Sequence, residues 1–254
     1  MDILNSLLQI SQAPSLAFEV FVISFIGGLL PALVWLWFWM HESHDHKEPR
    51  SVLWLTFLFG MAGVFLVFPL QALMGYMLGE PLNSTSKTQT FIWAGLEELI
   101  KYLCALAIAL RIRKGVFDEP IDAFVYLMTA ALGFSALENM LYLIDPLLKG
   151  ETLISLMTGN LRFMGANLLH VASSGVLSLF IGMAYYKPSY IRKFWTLIGL
   201  LVATVLHALF NLLIIWISEA GAEKGMIFVA FSYVWITLII LILALEKVKT
   251  IKEF

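Results

Sequence analysis

Seven long apolar stretches, separated by short polar segments, limit what this chain can fold into more than any other feature of its sequence. They cover residues 18–40, 52–78, 90–110, 121–144, 161–186, 194–218 and 226–246. A helix that spans a bilayer needs about 20 predominantly apolar residues, and each stretch is long enough. Hydrophobic residues make up 60% of the chain and charged residues 13%, whereas soluble domains hold about 45–50% and roughly 25%. We therefore predict an all-α, polytopic membrane helix bundle of about seven transmembrane helices.

The chain shows no internal repeat, low-complexity tract or separate soluble domain, so we expect one membrane domain over residues 1–254. An eighth helix is compatible with the sequence, either an interfacial helix in residues 1–15 or a re-entrant segment in residues 151–160. The near-zero net charge gives no basic face for nucleic acid. The single cysteine, Cys104, excludes an intramolecular disulfide and a multi-cysteine metal site.

The positive charges between the apolar stretches predict the orientation of the bundle. Eleven lysines and arginines follow the odd-numbered stretches: Lys47, Arg50, Arg111, Arg113, Lys114, Lys187, Arg192, Lys193, Lys247, Lys249 and Lys252. The opposite side holds three, Lys87, Lys149 and Lys224. By the positive-inside rule, the N-terminus lies outside and the C-terminus lies in the cytoplasm.

Ionisable and amide side chains inside four of the apolar stretches are the candidates for a functional site. A charge at the bilayer centre costs about 2.5–3.5 kcal/mol on insertion scales, so such residues are rare and usually functional. The third stretch holds Glu97, Glu98 and Lys101, the fourth Glu138, the fifth Arg162 and His170, and the sixth His207 and Asn211. With a rise of about 1.5 Å per residue, alternating helices bring Glu97, Glu98, Glu138, His170 and His207 to one level in the outer half of the membrane.

The residue types and spacings at this level fit hydrolytic chemistry. Lys101 follows Glu97 by four positions and Glu98 by three, so the three share a helix face. Two histidines with carboxylates suit zinc, and three protein ligands would leave the fourth position for water, with a spare glutamate as general base. Without a metal, a glutamate–histidine pair could activate water itself. Both mechanisms remain open at the level of sequence.

Other interpretations of the same residues lead to different functions. The Glu–Lys and histidine groups could be ion pairs and hydrogen bonds that hold helices together, and Arg162 lies close enough to the outer end to reach the interface. A proton- or ion-coupled transporter could use a Glu/His relay, but it needs polar groups toward both faces, and the cytoplasmic halves of the fourth to sixth stretches are nearly all apolar. A non-catalytic membrane scaffold would bind partners without using these side chains.

Four segments together resemble the successive motifs of PrsW-type intramembrane proteases, which belong to the superfamily of CAAX prenyl proteases and bacteriocin-processing enzymes. They are Glu97-Glu98-Leu99-Ile100-Lys101, Phe134-Ser135-Ala136-Leu137-Glu138-Asn139, His170, and His207-Ala208-Leu209-Phe210-Asn211. The segment Asp45-His46-Lys47-Glu48-Pro49-Arg50 resembles the Asp…Glu-Pro signature that follows the first span of that family. The resemblance covers roughly residues 40–215. The prenyl protease branch has a histidine at the position of Glu138, so the resemblance favours the PrsW branch.

This resemblance implies a multi-pass protein of a bacterial or archaeal cytoplasmic membrane that hydrolyses a peptide bond of a membrane protein. The implied substrate is a single-pass anti-sigma factor, cut near its extracytoplasmic side during a stress response. Glu97 would be the water-activating base, and Asn211 would stabilise the oxyanion. The implied ligands of a zinc ion, if one is used, are Glu98, Glu138, His170 and His207, and the supporting residues are Lys101, Asn139 and Arg162.

Overall fold

The computed structural model describes residues 14–42, 48–81, 86–108, 117–152, 162–219 and 225–251. These residues form α1 (Pro14–Glu42), α2 (Arg50–Leu78), α3 (Lys87–Leu106), α4 (Asp122–Leu148), α5 (Asn167–Met183), α6 (Ser189–Glu219) and α7 (Gly225–Lys249), and a π-helical turn, Arg162–Ala166, precedes α5. Each α-helix coincides with one predicted stretch, and the described residues contain no strand. The all-α prediction is confirmed. The segments considered for an eighth helix lie almost entirely outside the described residues.

Five of these helices contain stretches long and apolar enough to cross a membrane: Phe18–His41, Arg50–Leu78, Asp122–Leu148, Ser189–Ile217 and Phe228–Lys249. The outward faces expose large apolar side chains such as Trp37, Phe65 and Leu243, which a soluble protein would bury or use as a binding surface. The chain is therefore a multi-pass membrane protein. The other two helices are α3, which carries the buried charges, and α5, which has 17 residues.

Helix α4 lies at the centre of the bundle, where it packs against α1, α2 and α5. Glycines allow the backbones of α2 and α4 to approach closely, as small residues do in membrane helix pairs. A Cβ atom at Gly60 would overlap the carbonyl oxygen of Ala130, and one at Gly133 would overlap that of Phe57. This packing fixes the height of α4 against its neighbours. It therefore also fixes the height of Glu138, the candidate site residue in the C-terminal half of α4.

Local sequence signals determine where α2 ends and α3 begins. Gly79 adopts the left-handed conformation, with φ of 67°, and its N–H bonds the carbonyls of the last turn of α2. Ser86 caps α3 by accepting a hydrogen bond from the backbone N–H of Gln89 at 3.2 Å. These boundaries set the height of the α3 site residues relative to α2.

The described part of the Glu-Pro signature connects the start of α2 to α4. The hydroxyl of Tyr126 donates a hydrogen bond to the Glu48 carboxylate, and Pro49 directly precedes α2. The signature thus joins two helices at their predicted cytoplasmic ends. Its first residues, 45–47, lie outside the described residues.

Candidate active site

Side chains from α3, α4, α5 and α6 meet in one buried cluster. Nδ1 of His207 lies 2.7 Å from Oε1 of Glu98, and Nδ1 of His170 lies 3.0 Å from Nζ of Lys101. The other ring nitrogen of His170, Nε2, lies 2.9 Å from Oε2 of Glu138. The two imidazole rings stand edge to face with centroids 5.1 Å apart. The four helices expected to share a site therefore do bring their polar residues together.

Glu98 is the hydrogen-bond centre of this cluster, and it is fully buried. Its Oε1 accepts from Lys101 at 2.5 Å and from the Ser173 hydroxyl at 2.8 Å, and it also faces His207. Its Oε2 accepts from the Ser174 hydroxyl at 2.9 Å. A carboxylate with this many donors is held as an anion in one orientation. Glu98 is thus a structural anchor for the groups around it.

The contact with Glu98 determines which nitrogen of His207 is available for chemistry. Because a carboxylate faces Nδ1, the proton of a neutral ring lies on Nδ1 and the lone pair on Nε2. Nε2 in turn lies 3.5 Å from Oε2 of Glu97. That oxygen is buried and has no hydrogen-bond partner among the described residues. Two electron-rich atoms therefore face each other across a gap.

This gap matches the spacing of zinc ligands. Nitrogen and oxygen ligands about 2.0–2.2 Å from a tetrahedral zinc lie roughly 3.3–3.6 Å from each other. Carboxylate and imidazole atoms within 4.8 Å of one another belong to Glu97, His170 and His207. The residue types and spacing therefore fit a zinc ion, and His170 would bind it after one of its ring nitrogens leaves Lys101 or Glu138.

The candidate metal set in the structure differs from the set that the resemblance implied, because Glu97 replaces Glu98 and Glu138. Glu98 already pairs with Lys101, and Glu138 already pairs with Arg162. Glu97 forms no ion pair with a lysine or arginine of the described residues. Glu97 is thus the carboxylate of the three without a lysine or arginine partner, and its Oε2 faces Nε2 of His207.

A glutamine that the sequence interpretation missed orients Glu97. Nε2 of Gln71, in α2, donates to Oε1 of Glu97 at 3.0 Å, and Gln71 is itself buried. This hydrogen bond leaves only Oε2 of Glu97 to face the histidines. The signal in the sequence is a single amide side chain deep in an otherwise apolar span. It was missed because the candidate site residues were chosen from spans that contain charged side chains.

Arg162 joins the site through the π-helical turn. Its Nη2 lies 2.5 Å from Oε2 of Glu138, and its Nε donates to Oδ1 of Asn139 at 2.5 Å. The guanidinium also lies over the Tyr142 ring, 3.8 Å from the centroid. The side chains of Glu138 and Arg162 are 14% and 17% exposed, so this edge is the more open side of the cluster. Arg162 is thus paired with Glu138 at the edge of the cluster.

Three amide side chains, Asn139, Asn167 and Asn211, complete the surroundings. Asn139 donates to Oδ1 of Asn167 at 3.0 Å, and the Ser135 hydroxyl donates to the same oxygen at 2.5 Å, which connects α4 to α5. Asn211 lies one turn beyond His207 and is partly buried. Its side chain makes no hydrogen bond with the described residues.

Comparison with known proteins agrees with this geometry. Residues 48–244 match the family model described as PrsW family intramembrane metalloprotease. The chain belongs to this family. The matched range contains every residue of the cluster described above.

Curated relatives of PrsW type align over most of the chain. Protease PrsW of Geobacillus kaustophilus is 26% identical over 232 residues, which cover 90% of this chain and 92% of that protein. Protease PrsW of Bacillus subtilis is 26% identical over 195 residues, covering 76% and 83%. Protease PrsW of Halalkalibacterium halodurans is 25% identical over 229 residues, covering 88% and 94%. No solved structure matches. The chain is thus an intramembrane protease, as the resemblance in its motifs predicted.

Proposed function

We propose that this PrsW-family protease is an endopeptidase that cuts a single-pass membrane protein near its extracytoplasmic side, with anti-sigma factors as the substrate class. The family resemblance supports the class of substrate. The sidedness is supported by the loop charges together with the positions of Glu138, His170 and His207, each in the half of its helix nearer the predicted outer end.

The observation that carries the proposal is the pair formed by Glu97 Oε2 and His207 Nε2. The cluster contains three carboxylates and two cations, which are Glu97, Glu98, Glu138, Lys101 and Arg162. When all three carboxylates are ionised, the cluster therefore holds one uncompensated negative charge. A buried charge without a partner is costly. A divalent cation at this position would remove that cost and leave the site with the positive character that a developing oxyanion needs.

In this proposal Glu97, His170 and His207 hold a zinc ion. Zinc would supply Lewis-acid activation of a water and of the scissile carbonyl. Glu98 fixes the His207 ring, and Lys101 fixes Glu98. Residues that hydrogen-bond to a metal ligand tune the basicity of that ligand. Glu98 and Lys101 therefore both belong to the proposed site.

The remaining residues handle the proton and the substrate. Glu138 lies at the more open edge, and its Oε1 makes no hydrogen bond with the described residues, so it is placed to accept a proton from the attacking water. Arg162 holds Glu138 through its other oxygen. The free amide of Asn211 donates to the carbonyl oxygen of the scissile bond as negative charge develops there.

Metal analysis combined with a cleavage assay tests the site. We expect about one zinc per purified chain, lost in Glu97→Gln and His207→Gln along with cleavage of a single-pass reporter. Glu246→Gln is the matched control, because it makes the same chemical change in an exposed ion pair on α7. Full cleavage by metal-free protein would reject the zinc assignment and leave Glu97 as a general base. Cleavage that survives both site variants would reject the site itself.

Mapping the cut in the same reporter tests the substrate assignment. A peptide bond inside a helix is protected by its hydrogen bonds, so we expect cleavage beside a small residue or helix breaker near the outer membrane surface. A cut in the cytoplasmic half of the reporter would contradict the proposed sidedness. An anti-sigma factor that is left intact while other single-pass reporters are cut would contradict the substrate class.

A further inference from the structure

A cavity of about 450 Å³ lies between α3, α4, α5 and α6, at the ends of these helices that the loop charges place in the cytoplasm. Its walls are mostly apolar and include Leu106, Leu127, Ile181, Leu197 and Leu200. None of the residues of the protease cluster lines it. The cavity is therefore separate from the site described above.

Two adjacent cations line the same cavity. Arg192 and Lys193 lie in the first turns of α6, and both are exposed. Neither side chain forms an ion pair or a hydrogen bond with the described residues. The positive charge beside the apolar walls thus has no partner in the described part of the chain.

No carboxylate of the described residues forms an ion pair with Arg192 or Lys193. The carboxylate of Asp122 accepts the backbone N–H groups of Asp118 and Glu119, at 2.8 and 2.6 Å. The hydroxyl of Tyr185, which also lines the cavity, donates to the carbonyl of Phe117 at 2.9 Å. The hydrogen bonds of these polar groups are directed at the protein itself.

We propose that this cavity binds one anionic phospholipid of the cytoplasmic leaflet. An acyl chain fits apolar walls that water would hydrate poorly, and the lipid phosphate pairs with Arg192 and Lys193. Basic pockets between transmembrane helices on the cytoplasmic side are suited to anionic head groups. The proposal uses no residue of the protease site, so it stands independently of the proposed function.

Native mass spectrometry of the full chain with added phosphatidylglycerol or phosphatidylcholine tests the head-group contact. We expect a preference for phosphatidylglycerol that falls roughly 10- to 30-fold when both cations are removed in Arg192→Gln/Lys193→Gln. Lys187→Gln is the matched control: it removes an exposed cation two residues before α6 that does not line the cavity, so the preference should persist. Equal affinity of the wild type for the two lipids would overturn the proposal.

A second variant tests the acyl-chain contact. Ala105 lines the cavity and is buried, so Ala105→Phe should reduce the binding of both lipids while Arg192 and Lys193 remain in place. Size-exclusion chromatography and the melting temperature verify that this variant is folded. Phosphatidylglycerol binding that is unchanged in the folded Ala105→Phe variant would place the lipid elsewhere and overturn the assignment to this cavity.

Discussion

Oε2 of Glu97 and Nε2 of His207 lie 3.5 Å apart in the interior of the helix bundle, and neither is supplied with a proton by the described residues around it. Glu98 holds the proton of His207 on the far side of the ring. The cluster therefore presents a carboxylate oxygen and an imidazole lone pair to the same small space, which is the arrangement that a metal ion or an activated water requires.

Replacing the unpaired carboxylate should abolish activity with little effect on the fold. Glu97→Gln keeps the size of the side chain and its contact with Gln71, but it removes the anionic oxygen that faces His207. We expect cleavage of a single-pass reporter to fall by about 100-fold or more, with a melting temperature near that of the wild type. A large loss of thermal stability would show that Glu97 acts mainly in folding.

Replacing the neighbouring carboxylate should instead destabilise the protein. Glu98→Gln leaves the buried Lys101 ammonium without its anion, and an unpaired buried charge costs about 3–5 kcal/mol. The double variant Glu98→Gln/Lys101→Met removes both charges and should recover most of that stability while activity stays low. Thermal unfolding in detergent measures the effect. Equal stability of the single and double variants would contradict the pairing of Glu98 with Lys101.

The contact between Gln71 and Glu97 predicts a role for α2 in catalysis. Gln71→Met has a similar length and no donor, so Oε1 of Glu97 would lose its hydrogen bond and the carboxylate its fixed orientation. We expect activity or zinc affinity to fall roughly 10- to 100-fold, as for other residues that orient metal ligands. Thr56→Val is the control, because it removes a different buried hydrogen-bond donor of α2, a hydroxyl far from the site. Comparable losses in both variants would point to a general effect of α2 packing.

Arginine at position 162 should not be replaceable by lysine. Arg162 contacts Glu138 and Asn139 at once and lies over Tyr142, a combination that a lysine ammonium cannot reproduce. We expect Arg162→Lys to lower kcat about tenfold or more, because Glu138 loses its orientation. Lys149→Ala, which breaks an exposed pair with Asp145, should leave both activity and stability near wild type. A wild-type kcat in Arg162→Lys would show that Arg162 is not needed to orient Glu138 for catalysis.

The close approach of α2 and α4 predicts a strong effect of a single methyl group. Gly133→Ala would place its Cβ on the backbone of Phe57, and overpacking of this kind typically costs about 1–3 kcal/mol. Gly225→Ala, where the new methyl group meets only open space, is the control. The melting temperatures of the two variants give the comparison, and a Gly133→Ala variant as stable as Gly225→Ala would contradict the packing described for α4.

The sequence by itself determined the number of the described helices, their limits to within several residues, and the four helices that supply the charged cluster. Bilayer thickness imposes a length on every spanning helix, and the cost of charge in lipid makes residues such as Glu97, Glu138 and Lys101 stand out from their surroundings. The repeated alternation of the spans then gave their common level. These inferences rest on the cost of each residue in the solvent around it and on the length and order of the spans, so no tertiary contact was needed.

Only the tertiary structure decided which carboxylate is paired and which is free. Glu97 and Glu98 are neighbours in sequence, but successive side chains of a helix point about 100° apart. Glu98 therefore faces Lys101 and Ser173. Glu97 faces Gln71 and the Nε2 side of the His207 ring. The contribution of Gln71 depends on how α2 packs against α3, and that of Arg162 depends on the π-helical turn before α5. Pair formation among buried charges is a property of side-chain directions in several helices at once, which helical spacing alone does not fix.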